Sequence, residues 1–234
     1  AAGLAQRIDQ SHGRAIGFPA LEILPGQHPD QARDLLLQPW DVIIFISPNA
    51  VSFGLKLLSD QRLRASLGAV GQATAAALRQ CGYSIDLMPA DRYDSEGLLE
   101  LAQLQQMAAK RVLIVRGEGG RTLLGESLQA RGAEVGYAEV YRRAKPSVDP
   151  APLLARWQEQ VDLVTVTSVE VMHNLKSIMG KRGWPMLRHT PLLVISERMR
   201  VEARKEGFET ILLATGADDD AILSAIQGWI DGPS

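Results

Sequence analysis

One unit occurs twice in this chain and limits what it can fold into. Residues 41–58 read DVIIFISPNAVSFGLKLL and residues 162–179 read DLVTVTSVEVMHNLKSIM. Each is a short apolar run, a Ser-centred break, then apolar residues at helical spacing. A run of this length bounded by turn residues is a buried strand, and a Ser before a periodic segment is a helix N-cap. Asp41 aligns with Asp162, Ser47 with Ser168 and Leu55 with Lys176, all at an offset of 121. A repeated strand–cap–helix unit predicts two similar α/β domains with parallel sheets covered by helices on both faces.

The repeat extends further. VGQATAAALRQCGYSIDLMPA (70–90) matches ISERMRVEARKEGFETILLAT (195–215) at an offset of 125, and 94–99 matches 219–224 at the same offset. LQARGAEVGYAEVY (128–141) matches 8–22 at an offset of about 119. The N-terminal piece therefore has its partner after the other units of the first copy. One domain is expected to be discontinuous, residues 1–16 plus 146–234, with a second, 25–136, inserted in it. Two extended segments, 17–24 and 137–145, would connect them as a two-stranded β connector. Further strands are expected at 69–70, 84–88, 111–115, 192–195 and 209–213. Helices are expected at 4–10, closed by His12-Gly13, and at 97–108, 153–159, 168–179, 198–205 and 219–229. The chain opens inside a helix, so a strand is expected ahead of it.

The 234 residues are 46% hydrophobic, enough for sizeable cores, and the net charge of −2 argues against nucleic acid as a main partner. The single Cys81 cannot close an internal disulfide, and no signal-peptide pattern is present, which points to the cytoplasm. No apolar run approaches the roughly 18 residues that a membrane span needs.

In open parallel sheets, ligands bind beyond the carboxyl ends of the strands. The expected strand-end loops carry Ser47, Pro48 and Asn49; Gly71 and Thr74; Ser95 and Gly97; Arg116 and Gly117; Thr167 and Ser168; and Ser196 and Arg198. Free N–H groups at helix starts make each a weak anion site. A single Ser or Asn cap needs no function to explain it. Their number suits a ligand bearing many carboxylates or phosphates. The loop 116–121, RGEGGR, fails the dinucleotide fingerprint because Thr122 stands where the third glycine belongs, and no P-loop Gly-Lys-Ser/Thr follows. His12, His28, His173 and His189 show no metal spacing, so no metal is expected. Cys81 reads as a packing residue. Tyr141 lies on the second connecting segment, before Arg142, Arg143 and Lys145, where a phenol could face a cleft and donate a hydrogen bond or a proton.

FISPNAV (45–51), VGQATAAAL (70–78), DSEGLL (94–99), VLIVRGEGGR (112–121), RGAEVGYAEVYRR (131–143) and TSVEVMHNL (167–175) together resemble the uroporphyrinogen-III synthase family. The resemblance spans nearly the whole chain and rests on the order and spacing of these motifs. It implies two flavodoxin-like domains joined by a two-stranded connector, and no cofactor or metal. It also implies a monomeric lyase of haem biosynthesis, with at most transient contact with the preceding pathway enzyme. The implied reaction closes hydroxymethylbilane, a linear tetrapyrrole with eight carboxylates, to uroporphyrinogen III with inversion of ring D. Tyr141 matches the family's cleft tyrosine, thought to assist loss of hydroxide, and the caps would hold substrate carboxylates across a shared cleft. The family often has Thr where this chain has Ile46, and it usually opens with a strand and an Arg-Pro turn. Two other readings remain: a non-catalytic two-domain binding protein for a polyanionic small molecule, and a nucleotide-dependent enzyme, which the failed fingerprints weaken.

Overall fold

The computed structural model describes residues 2–11 and 13–232. His12, read as part of a helix stop, lies outside them. In chain order the elements are α1 (Ala2–Gln10), β1 (Glu22–Pro25), α2 (Pro29–Leu37), β2 (Val42–Phe45), α3 (Pro48–Lys56), β3 (Ser66–Ala69), α4 (Gln72–Gln80), α5 (Ser95–Leu99), a 3₁₀ turn (Ala102–Leu104), β4 (Arg111–Gly117), α6 (Leu123–Ala130) and β5 (Glu134–Ala144). There follow α7 (Ala151–Leu154), α8 (Trp157–Gln160), β6 (Val164–Thr165), α9 (Val169–His189), β7 (Leu192–Val194), α10 (Glu197–Glu206), β8 (Ile211–Leu213) and α11 (Asp219–Asp231). The chain divides into two compact units, Ala1–Glu22 with Lys145–Ser234, and Ile23–Ala144.

The unit Ile23–Ala144 is built on a sheet of order β1-β5-β4-β2-β3. Strands β5, β4, β2 and β3 are parallel to one another. Edge strand β1 makes the sheet mixed rather than wholly parallel, a departure from the expected fold. VIIF of β2 lies against VLIV of β4, and apart from half-buried Val42 these side chains are almost entirely buried. Apolar residues at every position are what a strand covered on both faces requires. Ile43, Phe45, Leu113 and Val115 face one core, while Ile44, Val112 and Ile114 face the other. Burying one such side chain contributes about 2 kcal/mol. The chain passes from β2 to β3 on one side, then to β4 on the other. That reversal makes the gap between β2 and β4 a topological switch point.

The other unit holds a three-stranded parallel sheet, β6-β7-β8. Its main core gathers Val166, Met172, Leu187, Leu192, Val194 and Ala203.

Several expected elements take another form. Residues 13–21 form no strand, and β1 is confined to Glu22–Pro25. The expected strand 84–88 is reduced to one bridge, Gly68 to Leu87, because the Asp86 carboxylate itself accepts from Leu67 N–H. The helix expected over 97–108 stops at Leu99, whose carbonyl is taken by the Gln105 amide and the Arg131 guanidinium. The helix expected over 153–159 is two short ones, the second anchored by Trp157 Nε1–H donating to Thr190 Oγ1 at 2.9 Å. Helix α9 continues to His189 through a break at Gly180, whose φ of 60° suits a residue without Cβ. The offset of 125 also slips at its end: the helix N-caps are Asp94 and Asp218, 124 apart, because Asp218, Asp219 and Asp220 offer three successive acids.

Asp41 ties the starts of three strands together. Its Oδ2 accepts from Arg111 N–H at 2.8 Å, its Oδ1 from Lys110 Nζ at 2.9 Å, and its backbone carbonyl from Ser66 N–H. The Arg111 amide, then Lys110, hold its carboxyl below the ordinary value of 3.8. A depressed carboxylate stabilises the fold above its unfolded value and loses that contribution as pH falls through its folded one. Asp41→Asn should therefore melt a few degrees below the parent at pH 7, and the gap should close as pH falls below 3.8, read by thermal unfolding across that range.

Candidate active site

The carboxyl ends of β2, β4 and β5 meet at the switch point of the Ile23–Ala144 unit. Ser47 follows β2 with extended backbone and caps α3, its Oγ accepting from Ala50 N–H at 3.1 Å. Two strands away, the Tyr141 hydroxyl lies 3.2 Å from the same Oγ. Between them, at the end of β4, is Gly117. A Cβ there would lie 2.6 Å from the Tyr141 ring, so only glycine lets the phenol cross above β4. Phe53 of α3 packs on the ring at 6.1 Å between centroids. Tyr141 is only 3% exposed, so the open stance expected of it is not what the structure shows. Its hydroxyl is lodged against half-buried Ser47, with Pro48 and Asn49 exposed alongside.

Strand β5 turns its phenol to this side by a bulge. Arg116 pairs with Glu139, but Gly117 pairs with Tyr141, so Val140 is the extra residue. Strict alternation would group Tyr141 with Val135 and Tyr137, on the face packed by α6. Instead Val140 and Tyr141 both enter the core that holds Phe45 and Val115. A bulge re-aims a side chain in this way.

The bulge also separates Tyr141 from Arg116, which was expected to meet an anion. Arg116 is buried, its Nε and Nη2 donate to Glu139 Oε1 at 3.2 and 3.1 Å, its Nη1 donates to the Arg121 carbonyl, and it stacks on Tyr137. Three of its five N–H donors are thus engaged within the fold. A cavity of about 460 Å³ is lined by Arg116 itself together with Gln27, His28, Gln31, Glu118 and Glu139 among others, but not by Tyr141. Its acids are likewise engaged, since Glu118 Oε1 accepts from Gln27 N–H.

Other expected contacts divide similarly. Gly71 caps α4 without a side chain, so the first N–H groups of that helix have no side-chain acceptor. Gly71 lies beside Tyr93, whose hydroxyl meets Gln72 Nε2, near half-buried Ser95. Thr74 is 3% exposed and faces the core, and Gly97 is packed on the Arg92 carbonyl where a Cβ would lie 2.0 Å away. Both are structural residues, fixed by the buried face of α4 and by the tight turn before α5. Gly117 makes room for the phenol.

In the other unit, Ser168 and Ser196 cap α9 and α10, accepting from Val171 and Met199 N–H at 3.1 and 3.3 Å. Their strands β6 and β7 are parallel neighbours, so the two caps stand side by side. Thr167 and Arg198 are exposed next to them. Ser47 (φ −159°, ψ 160°) and Ser168 (φ −156°, ψ 158°) have nearly the same cap geometry.

Sequence reasoning did not single out Tyr93 or Phe53. It also missed the approach of His173 to Glu202 and Glu206, whose donor atoms lie within 4.8 Å of one another. No spacing within one segment reports a cluster assembled from two helices.

The fold and its strand-end caps define an α/β protein of the kind that binds its ligand at the carboxyl edge of parallel strands. The family described as uroporphyrinogen-III synthase HemD matches residues 2–224. Uroporphyrinogen-III synthase of Escherichia coli K12 is 41% identical over 220 residues, covering 90% of this chain and 89% of that protein. That of Salmonella typhimurium LT2 is 40% identical over 230 residues, covering 92% of each. Among solved structures, a mutant uroporphyrinogen III synthase from the extreme thermophile Thermus thermophilus aligns with a TM-score of 0.59 at 16% identity, covering 98% of this chain and 95% of that one. The Helicobacter pylori 26695 enzyme also gives 0.59 at 16% identity, covering 89% and 90%. These two likenesses concern the fold. The chain belongs to the uroporphyrinogen-III synthase family.

Gly117→Ala should cost about 1–3 kcal/mol, the usual range for overpacking. Gly228→Ala, on a helix with open space around it, should be neutral or slightly stabilising. Urea unfolding of the two variants measures the difference.

Proposed function

We propose that this protein cyclises hydroxymethylbilane to uroporphyrinogen III, with loss of water and inversion of ring D. Family membership gives the reaction class, and the Tyr141–Ser47 contact at the switch point is the observation that carries the chemistry. Ser47 Oγ accepts from Ala50 N–H, which leaves its own proton for the Tyr141 oxygen. The phenol proton is then free to be donated to the departing hydroxyl of the ring A hydroxymethyl group. The azafulvene that results is attacked by the substituted carbon of ring D. The spiro intermediate fragments, ring D turns, and the macrocycle closes. Closure without an enzyme gives the uninverted isomer, so the protein's contribution is chiefly positioning and accommodation of charge.

The substrate's carboxylates would be taken by Ser47, Pro48 and Asn49, by Gly71 and Ser95, and by Thr167, Ser168, Ser196 and Arg198. This is supported by the uncapped start of α4 and by the paired caps at β6 and β7. Hydroxyls and helix-start amides suit such a ligand better than a strong nucleophile does. The same reading takes the two units as related flavodoxin-like domains, one discontinuous, linked through 17–24 and 137–145. The matching Ser47 and Ser168 caps support it. It places the protein in the cytoplasm as a monomer without a cofactor, meeting the preceding pathway enzyme only transiently. Among the described residues no helix is long and apolar enough to cross a membrane.

A coupled assay on hydroxymethylbilane should yield mainly the type III isomer; type I alone at the background rate would overturn the proposal. Tyr141→Phe should lower kcat several-fold or more with KM little changed. Ser47→Ala should lower kcat less and cost about 1 kcal/mol of stability through the lost cap. If the two hydroxyls act as a unit, the double variant will turn over no more slowly than Tyr141→Phe. Replacing Ser168 and Ser196 together by Ala should raise KM while kcat holds, measured by initial rates.

A further inference from the structure

Helices α9 and α10 bring three metal-ligating side chains together away from Tyr141. His173 lies one turn into α9. Glu202 and Glu206 are four residues apart on α10, hence on one face of that helix. His173 Nε2 is 3.7 Å from Glu202 Oε1 and 3.3 Å from Glu206 Oε1. These are long for a charge-assisted hydrogen bond, which draws nitrogen and oxygen to about 2.7–2.9 Å. His189 and Glu209 in the same unit do close to 2.6 Å. The His173 spacings instead approach the ligand-to-ligand edge of a tetrahedral zinc site, roughly 3.3–3.6 Å for metal–ligand bonds near 2.0–2.2 Å.

Neighbouring cations aim the two carboxylates. Lys176 Nζ donates to Glu206 Oε2 at 2.6 Å, and is itself held 4.2 Å above the Trp184 ring. Lys205 Nζ donates to Glu202 Oε2 at 3.2 Å. Each glutamate thus has one oxygen pinned by a lysine and the other turned to the histidine. Such partners of the non-ligating oxygens fix ligand orientation in metal sites. The three groups are 44%, 29% and 26% exposed, open enough for an ion to enter and for a water to complete its coordination.

We propose that His173, Glu202 and Glu206 form a binding site for a single divalent zinc ion that clamps α9 to α10. One imidazole with two carboxylates is a donor set that zinc accepts, and three protein ligands leave a fourth position for water. The ion takes no part in the cyclisation. It fixes the relative position of two helices whose N-caps, Ser168 and Ser196, stand side by side. The proposal does not depend on the reaction assigned above.

The test uses the full chain stripped of metal with a chelator, then titrated with zinc chloride by calorimetry and followed by thermal unfolding. One zinc ion per chain is expected, and at about a hundred times Kd the melting temperature should rise by roughly 5 °C or more. His173→Ala and Glu206→Gln should each weaken binding at least tenfold and abolish the rise, while melting near the parent without zinc. His189→Ala, at the other histidine–glutamate pair, should bind as the parent does. No uptake by the parent, or equal uptake by His173→Ala, would overturn the proposal.

Discussion

A single residue out of step in β5 decides which way the Tyr141 phenol points. Had the ladder continued in register past Arg116, the phenol of Tyr141 would share a face with Tyr137, among the residues that α6 covers. The bulge at Val140 turns it to the face of α3, and the missing side chain at Gly117 gives the ring a path to Ser47. The hydroxyl pair depends on both features. Neither is a hydrogen bond or a charge; one is an irregularity in a strand and the other an absence of atoms. Arg116 shows the reverse effect of the same register. On the near side of the bulge it points away from Tyr141 and satisfies itself with Glu139.

The repeated strand–cap–helix units were legible because they rest on local rules. An apolar run followed by Ser at a helix start says both where the strand ends and where the N-cap lies, and Ser47, Ser168 and Ser196 all cap as their positions suggest. Caps could be read because the residue that makes the bond is the one seen in the sequence. The buried strands β2 and β4 were legible for a similar reason, since continuous apolar runs leave no exposed face.

What was not legible depends on distant partners. The short α5 stops where Gln105 and Arg131 reach its last carbonyl, and Arg131 comes from thirty-two residues further on. The strand expected at 84–88 fails because Asp86 turns its side chain to the ladder. Arg116 was expected to meet an anion, and its pairing with Glu139 across a strand pair could not be read from the sequence. Thr74 follows the cap of α4 and was counted with it, but the buried face of that helix claims it. In EVGYAEVYR the alternation breaks at Glu139, which falls in phase with Val135 and Tyr137 and precedes adjacent Val140 and Tyr141, but that break was not read as a bulge.

The break in α9 has a mechanical consequence. An unbroken helix of its 21 residues would be about 30 Å long, and a tilt of a few degrees at its far end would swing Ser168 by an ångström or more. At Gly180 the backbone leaves helical geometry, and the lever is cut near its middle. Leu187 and Trp184 can then enter the core that they share with Met172, Leu175 and Met179 at an angle of their own. The break lets one helix follow two directions across a single core.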